Sequence, residues 1–134
     1  MYELALSIIF LTGRRTCEIM NGKSLFFDTK TPFFVIFQGQ LKKKKTDKYC
    51  IPFLHDPSSI RKAFEHLRLL QKKIPSENSK VSSKYASGLR QFLLQHKIFK
   101  EALKIHNLRK VYACLCLKLF SWGDPSDLYI CMHI

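Results

Sequence analysis

Residues 12–18 read Thr-Gly-Arg-Arg-Thr-Cys-Glu. Gly13 is suited to end a helix, because glycine accepts the left-handed backbone that closes one. The ten residues before this stretch, YELALSIIFL, are apolar enough to be a buried helix over 2–11. Arg15 to Met20 then reads as a second short helix, stopped by Asn21-Gly22. Arginines at a helix start oppose the macrodipole. The placement makes sense if an anion sits between the side chain and the helix end, with Glu18 three positions on to hold the arginine. The alternative is a plain basic surface.

The rest of the chain sets the frame for that choice. Its 134 residues favour one domain, taken here as 1–134, and its hydrophobic fraction of 46% argues against disorder of the whole. Lys and Arg number 23 against 10 acidic residues, a formal charge of +13, which favours a polyanionic partner. The five cysteines include no CxxC pair, so they read as buried free thiols rather than zinc ligands. The N-terminal apolar run is too short to span a bilayer, and Glu3 sits where a signal peptide needs positive charge.

After residue 22 the texture changes. SLFFD, FFVIFQGQ and KYCIPFL are rich in Phe, Val, Ile and Tyr, and read as antiparallel strands, with Gly39 marking a bend or bulge. Lys42, Lys43, Lys44 and Lys45 fall at the hairpin tip between the last two. Asp56-Pro57-Ser58 opens a helix expected to run to about Lys73, with Ile60, Phe64, Leu67 and Leu70 inward and Pro75 ending it. PSENSK reads as a loop. Further helices are expected over about Ser83–His96, with Tyr85, Leu89, Phe92 and Leu93 inward, and about Asn107–Phe120. The layout is an α+β fold, mainly helical, with a small antiparallel sheet.

Four places could carry chemistry, each with a plainer reading beside it. Arg14-Arg15 could be a basic helix start. The lysine run could be a solvated turn, although a lysine at a hairpin tip can protonate a leaving oxygen. His106 and Arg109, three apart in IHNLRKVYA, share a helix face and can hold one phosphoryl group between them. Tyr129, with His133 behind it, could be only an apolar tail. The acids are few and form no paired cluster, so cations are left to stabilise charge on a phosphate.

TGRRTCEIM, FFVIFQGQLKKK and KIHNLRKVYA, in that order, resemble the catalytic domain of tyrosine recombinases, and within it the telomere resolvases (protelomerases). The pattern of that superfamily is TGxRxxE, a β-hairpin lysine, HxLRxxxA, a second His and a nucleophilic Tyr. The resemblance covers about residues 3–120. It implies Arg15 as the first catalytic arginine, Glu18 as its structural support, Lys42 as the hairpin general acid, and His106 and Arg109 as the second phosphate-gripping pair. Tyr129 is the available nucleophile. Arg14, Lys43, Lys44, Lys45 and Lys110 are expected to bind DNA, Arg14 without a catalytic role.

The implied reaction breaks and rejoins DNA through a 3′-phosphotyrosyl bond and seals hairpin ends, with no metal or other cofactor. The implied partner is double-stranded DNA, bound by a dimer in the cytoplasm of a bacterium, the gene being carried by a plasmid or phage. The pattern departs from the family at both ends. Little precedes Arg15 where a DNA-clamping domain is expected. In the divergent tail, 121–134, Tyr129 precedes His133, and Trp122 as a stand-in for the second His lies close to Tyr129. A truncated catalytic domain, inactive alone, is therefore expected, or else a non-catalytic DNA-binding module or non-functional remnant.

Overall fold

A computed structural model describes residues 1–41, 47–74, 77–97 and 104–120. Helix α1 (Tyr2–Thr12) buries Ala5, Leu6, Ile8 and Ile9. It ends at Gly13, whose φ of 62° is left-handed and whose N–H bonds the Ile9 carbonyl at 2.9 Å. A second constraint acts on the same glycine: a Cβ there would stand 2.2 Å from the Tyr112 ring. Helix α2 (Thr16–Met20) follows at once, with Arg15 as its N-cap.

Strands β1 (Leu25–Phe27), β2 (Phe34–Gln38) and β3 (Lys48–Pro52) form one antiparallel sheet in that order. Phe26 faces Phe37, and Phe37 faces Tyr49 across the next pair. Side chains alternate along the central strand, so Val35 and Phe37 are buried while Phe34, Ile36 and Gln38 are only partly so. Gly39 turns the chain with φ 114°, and a Cβ there would meet the Ser24 backbone.

Helix α3 (Pro57–Leu70) starts as its sequence promises. Asp56 accepts the Ser58 N–H at 3.2 Å, and proline occupies the first turn. Its far end differs from expectation: the helix stops at Leu70 rather than Lys73, and Leu70 is exposed. The cause is Gln71, which turns inward and donates to the Met20 carbonyl at 3.1 Å. Arg68 holds Gln71 in place through Nη1 at 2.6 Å and also reaches the Asn21 carbonyl. The last carbonyls of α2 thus gain partners from α3, and Pro75, expected to end the helix, lies outside the described residues.

Helix α4 (Asn78–Gln95) begins five residues before the expected Ser83. The polar SENSK stretch hid Val81, which is fully buried and starts the stripe Val81, Tyr85, Leu89, Leu93 at four-residue spacing. Phe92 is half-buried, its ring 4.2 Å from that of His96. Helix α5 (Ile105–Phe120) buries Leu108, Tyr112 and Cys116. Tyr112 anchors it to the sheet by donating to the Pro52 carbonyl at 2.7 Å.

The core draws on every one of these elements, and α1 packs against α2, α3, α4 and α5. The architecture is α+β, as the sequence pattern indicated. The thiols correct the expectation of buried cysteines: Cys50 and Cys114 are exposed, Cys17 is half-buried, and Cys116 is buried. Cys131 lies outside the described residues. No helix among the described residues is long and apolar enough to cross a membrane.

Candidate phosphate-binding cleft

A cleft of about 220 Å³ opens where α1, α2, α4 and α5 meet. Arg15, His106 and Arg109 all line it, although more than ninety residues of sequence separate the first from the others. Ile9, Cys17, Ser82 and Ile105 complete much of its wall.

Each cation is placed by a specific backbone feature. Arg15 sits at the α2 N-cap with extended backbone, φ −72° and ψ 151°. Its Nη1 lies 3.1 Å from Glu18 Oε1, and its own N–H donates to Glu18 Oε2 at 2.9 Å. Arg109 donates from Nε to the Gly13 carbonyl at 2.8 Å. That bond spends Nε and leaves the Nη fork for another group. His106 is exposed one turn earlier on α5, so it and Arg109 share a face, as their spacing requires.

Glu18 is the junction of the site. It is 1% exposed, and besides its two bonds to Arg15 it accepts the Leu41 N–H at 3.0 Å. A buried carboxylate needs such partners, and here they are the first arginine and the root of the β2–β3 hairpin. Glu18, expected to support Arg15, meets both the backbone and the side chain of that residue. The tie to Leu41 was not visible in sequence, because a backbone N–H carries no residue signature.

Electrostatically the cleft is positive. Burial is the main cause that pushes the Arg109 pKa down, and repulsion from Arg15 adds to it while Glu18 opposes it. Arg14 is also pushed down, first by burial. Burial raises the Cys17 thiol, and the Glu18 charge raises it further. Guanidiniums depressed by desolvation and by one another are stabilised when an anion enters between them.

Arg14, which the family resemblance assigns to DNA binding, is 2% exposed and lines the cleft. Lys110 is exposed on α5. Lys42, Lys43, Lys44, Lys45 and Tyr129 lie outside the described residues, as do Trp122 and His133.

Two arginines and a histidine thus line one cleft on a mainly helical α+β frame with a three-stranded sheet. Known structures share the frame. A tyrosine-to-alanine variant of protelomerase TelA covalently complexed with substrate DNA matches with TM-score 0.75 and 22% identity, over 94% of this chain and 45% of that one. An arginine-to-alanine variant of TelA, also covalently complexed with substrate DNA, gives 0.73 and 23%, over 90% and 43%. Protelomerase TelK complexed with substrate DNA gives 0.72 and 23%, over 91% and 26%. The chain therefore spans less than half the length of these proteins. No curated protein sequence matches it significantly. The telomere resolvase ResT/TelK catalytic domain family matches residues 1–129, and the chain belongs to that family.

Proposed function

We propose that the cleft holds a backbone phosphate of double-stranded DNA, and that the domain derives from enzymes that break and rejoin DNA to form hairpin ends. The observation that carries this reading is the meeting of Arg15, His106 and Arg109 at one cleft. Two guanidinium forks and an imidazole can engage the non-bridging oxygens of one phosphate and stabilise the charge that builds as phosphorus becomes pentacoordinate. In the reaction proposed, a tyrosine oxygen bonds to phosphorus and the bond to the 5′-oxygen breaks. Lys42 gives that oxygen a proton, and a 5′-hydroxyl later displaces the tyrosine. Tyr129 is the candidate nucleophile, and a dimer on DNA is the assembly that the family reading brings.

This chain by itself is expected to bind DNA without cutting it. A tyrosine must be held in line with the leaving oxygen at near-attack distance. Tyr129 follows Gly-Asp-Pro-Ser-Asp, which is turn chemistry, and it precedes His133 instead of following a second His. The test uses a nicked hairpin-telomere substrate and a denaturing gel. DNA binding with no covalent adduct is the expected result. An adduct that disappears in Tyr129→Phe would make Tyr129 a working nucleophile. Absence of DNA binding at low salt would remove the phosphate reading.

A further inference from the structure

Arg14 is a buried arginine with most of its donors unspent. Its Nε donates to the Thr12 carbonyl at 3.3 Å, and its guanidinium lies 5.7 Å from the centre of the Phe37 ring. Neither contact uses the Nη groups, which have no hydrogen-bond partner among the described residues. Those groups are not sealed off either, since Ser24 Oγ alone among the described residues is a fully buried side-chain polar atom without a partner. Arg14 also lines the cleft that Arg15 and Arg109 line. Buried N–H donors are nearly always paired, and an arginine has five of them. A guanidinium hidden from bulk water, with its fork unpaired beside an open cleft, is arranged to receive an anion.

The balance of charge says which anion. Arg15 and Arg109 against Glu18 leave a single net positive charge, leaving the imidazole aside, and this suits a singly charged phosphodiester. Arg14 adds a second. We propose that Arg14 is a third phosphate-contacting arginine, and that it makes the cleft select doubly charged phosphate groups over singly charged diesters. The inference rests on the phosphate reading of the cleft and deepens it. A diester carries one negative charge in its ground state and two in the pentacoordinate phosphorane. A cation matched to the second charge binds the phosphorane better than the substrate, which is the condition for accelerating a reaction.

The test is calorimetric titration of the intact chain with inorganic phosphate and with dimethyl phosphate at about pH 8, where the first is mainly a dianion. Inorganic phosphate should bind about tenfold more tightly, the ratio that one additional well-placed charge-assisted contact gives. Arg14→Met should bring the two affinities to within about threefold, since the single net positive charge left is already matched by the monoanion and the dianion's second charge then has no cation of its own. Should Arg14→Met fail to fold, the wild-type side-chain nitrogen spectrum decides instead. The Arg14 signals should move on adding inorganic phosphate and stay in place with dimethyl phosphate. An unchanged ratio in folded Arg14→Met, or unmoved Arg14 signals in the wild type, overturns the assignment of Arg14 alone. A wild-type chain that binds neither anion overturns the phosphate reading of the whole cleft.

Discussion

Glu18 receives three hydrogen bonds, two from Arg15 and one from the Leu41 N–H, which tie the first arginine and the hairpin root to one buried carboxylate. Removing it strands Arg15 and the Leu41 N–H together. Glu18→Ala should therefore lower the unfolding free energy by about 2–4 kcal/mol, the range for breaking a buried pair whose arginine is partly solvated. Urea unfolding would measure this, and a loss below about 0.5 kcal/mol, typical of a surface change, would show that the carboxylate braces nothing. Cys17 offers a second test at the same scale. Its thiol pKa is raised above 9.0 by burial and then by Glu18, so at a given pH it holds less of the reactive thiolate. Iodoacetamide near pH 7.5 should label exposed Cys50 and Cys114 before Cys17, whose labelling should keep rising with pH beyond 9.0, where that of an unperturbed thiol levels off. DNA or phosphate in the cleft should slow that labelling further. Peptide mapping by mass spectrometry would follow all three sites, and early labelling of Cys17 would contradict the burial argument.

Among the elements, the turn from α1 into α2 does most to build the site. Gly13 closes α1, offers its carbonyl to Arg109, and leaves room for the Tyr112 ring. Gly13→Ala combines a left-handed backbone at a residue with a Cβ and a clash with a buried ring. The first costs about 1–2 kcal/mol and the second about 1–3 kcal/mol, so a total of about 2–5 kcal/mol is expected. Thermal unfolding would report it, and DNA affinity should fall as the Arg109 anchor shifts. A Gly13→Ala chain as stable as the wild type would mean that α5 does not pack as described. This turn was legible because Thr-Gly-Arg-Arg states its own geometry: a helix end, then charges where a helix begins. The start of α4 was not legible, since the Ser and Asn residues of SENSK compete with the backbone for hydrogen bonds and read as loop. Burial of Val81 and the Asn21–Asn78 side-chain bond at 3.0 Å override that preference. Nor could sequence tell which arginine turns inward. The extended backbone at Arg15 sends neighbouring side chains apart, and only packing against Phe37 fixes the inward one as Arg14.

At the scale of the whole molecule, the proposed reading gives the +13 charge and the cleft separable contributions to DNA binding. The dispersed lysines and arginines would act through counterion release, which depends on how many phosphates are neutralised and hardly on sequence. The cleft, on the same reading, would add one phosphate held by several converging groups. Binding should therefore be steep in salt: with about 6–10 phosphates contacted, affinity should drop about 10³–10⁵-fold between about 50 and 200 mM. Arg109→Ala removes one neutralised phosphate at most, so it should flatten the log–log salt slope by about 0.9 and weaken binding only modestly. Lys110→Ala, at an exposed position on the same helix, should give a similar slope change if it meets the backbone. The two variants should part when inorganic phosphate competes against DNA. Phosphate occupying the cleft displaces the contact made by Arg109 but leaves that of Lys110 intact, so only Arg109→Ala should blunt the competition. Fluorescence anisotropy with a labelled duplex would resolve slope and competition together. A flat salt response would show that the charge excess is not an electrostatic footprint for DNA. A competition unaffected by Arg109→Ala would show that the phosphate acts elsewhere on the basic surface, and the cleft would lose its claim to be the site.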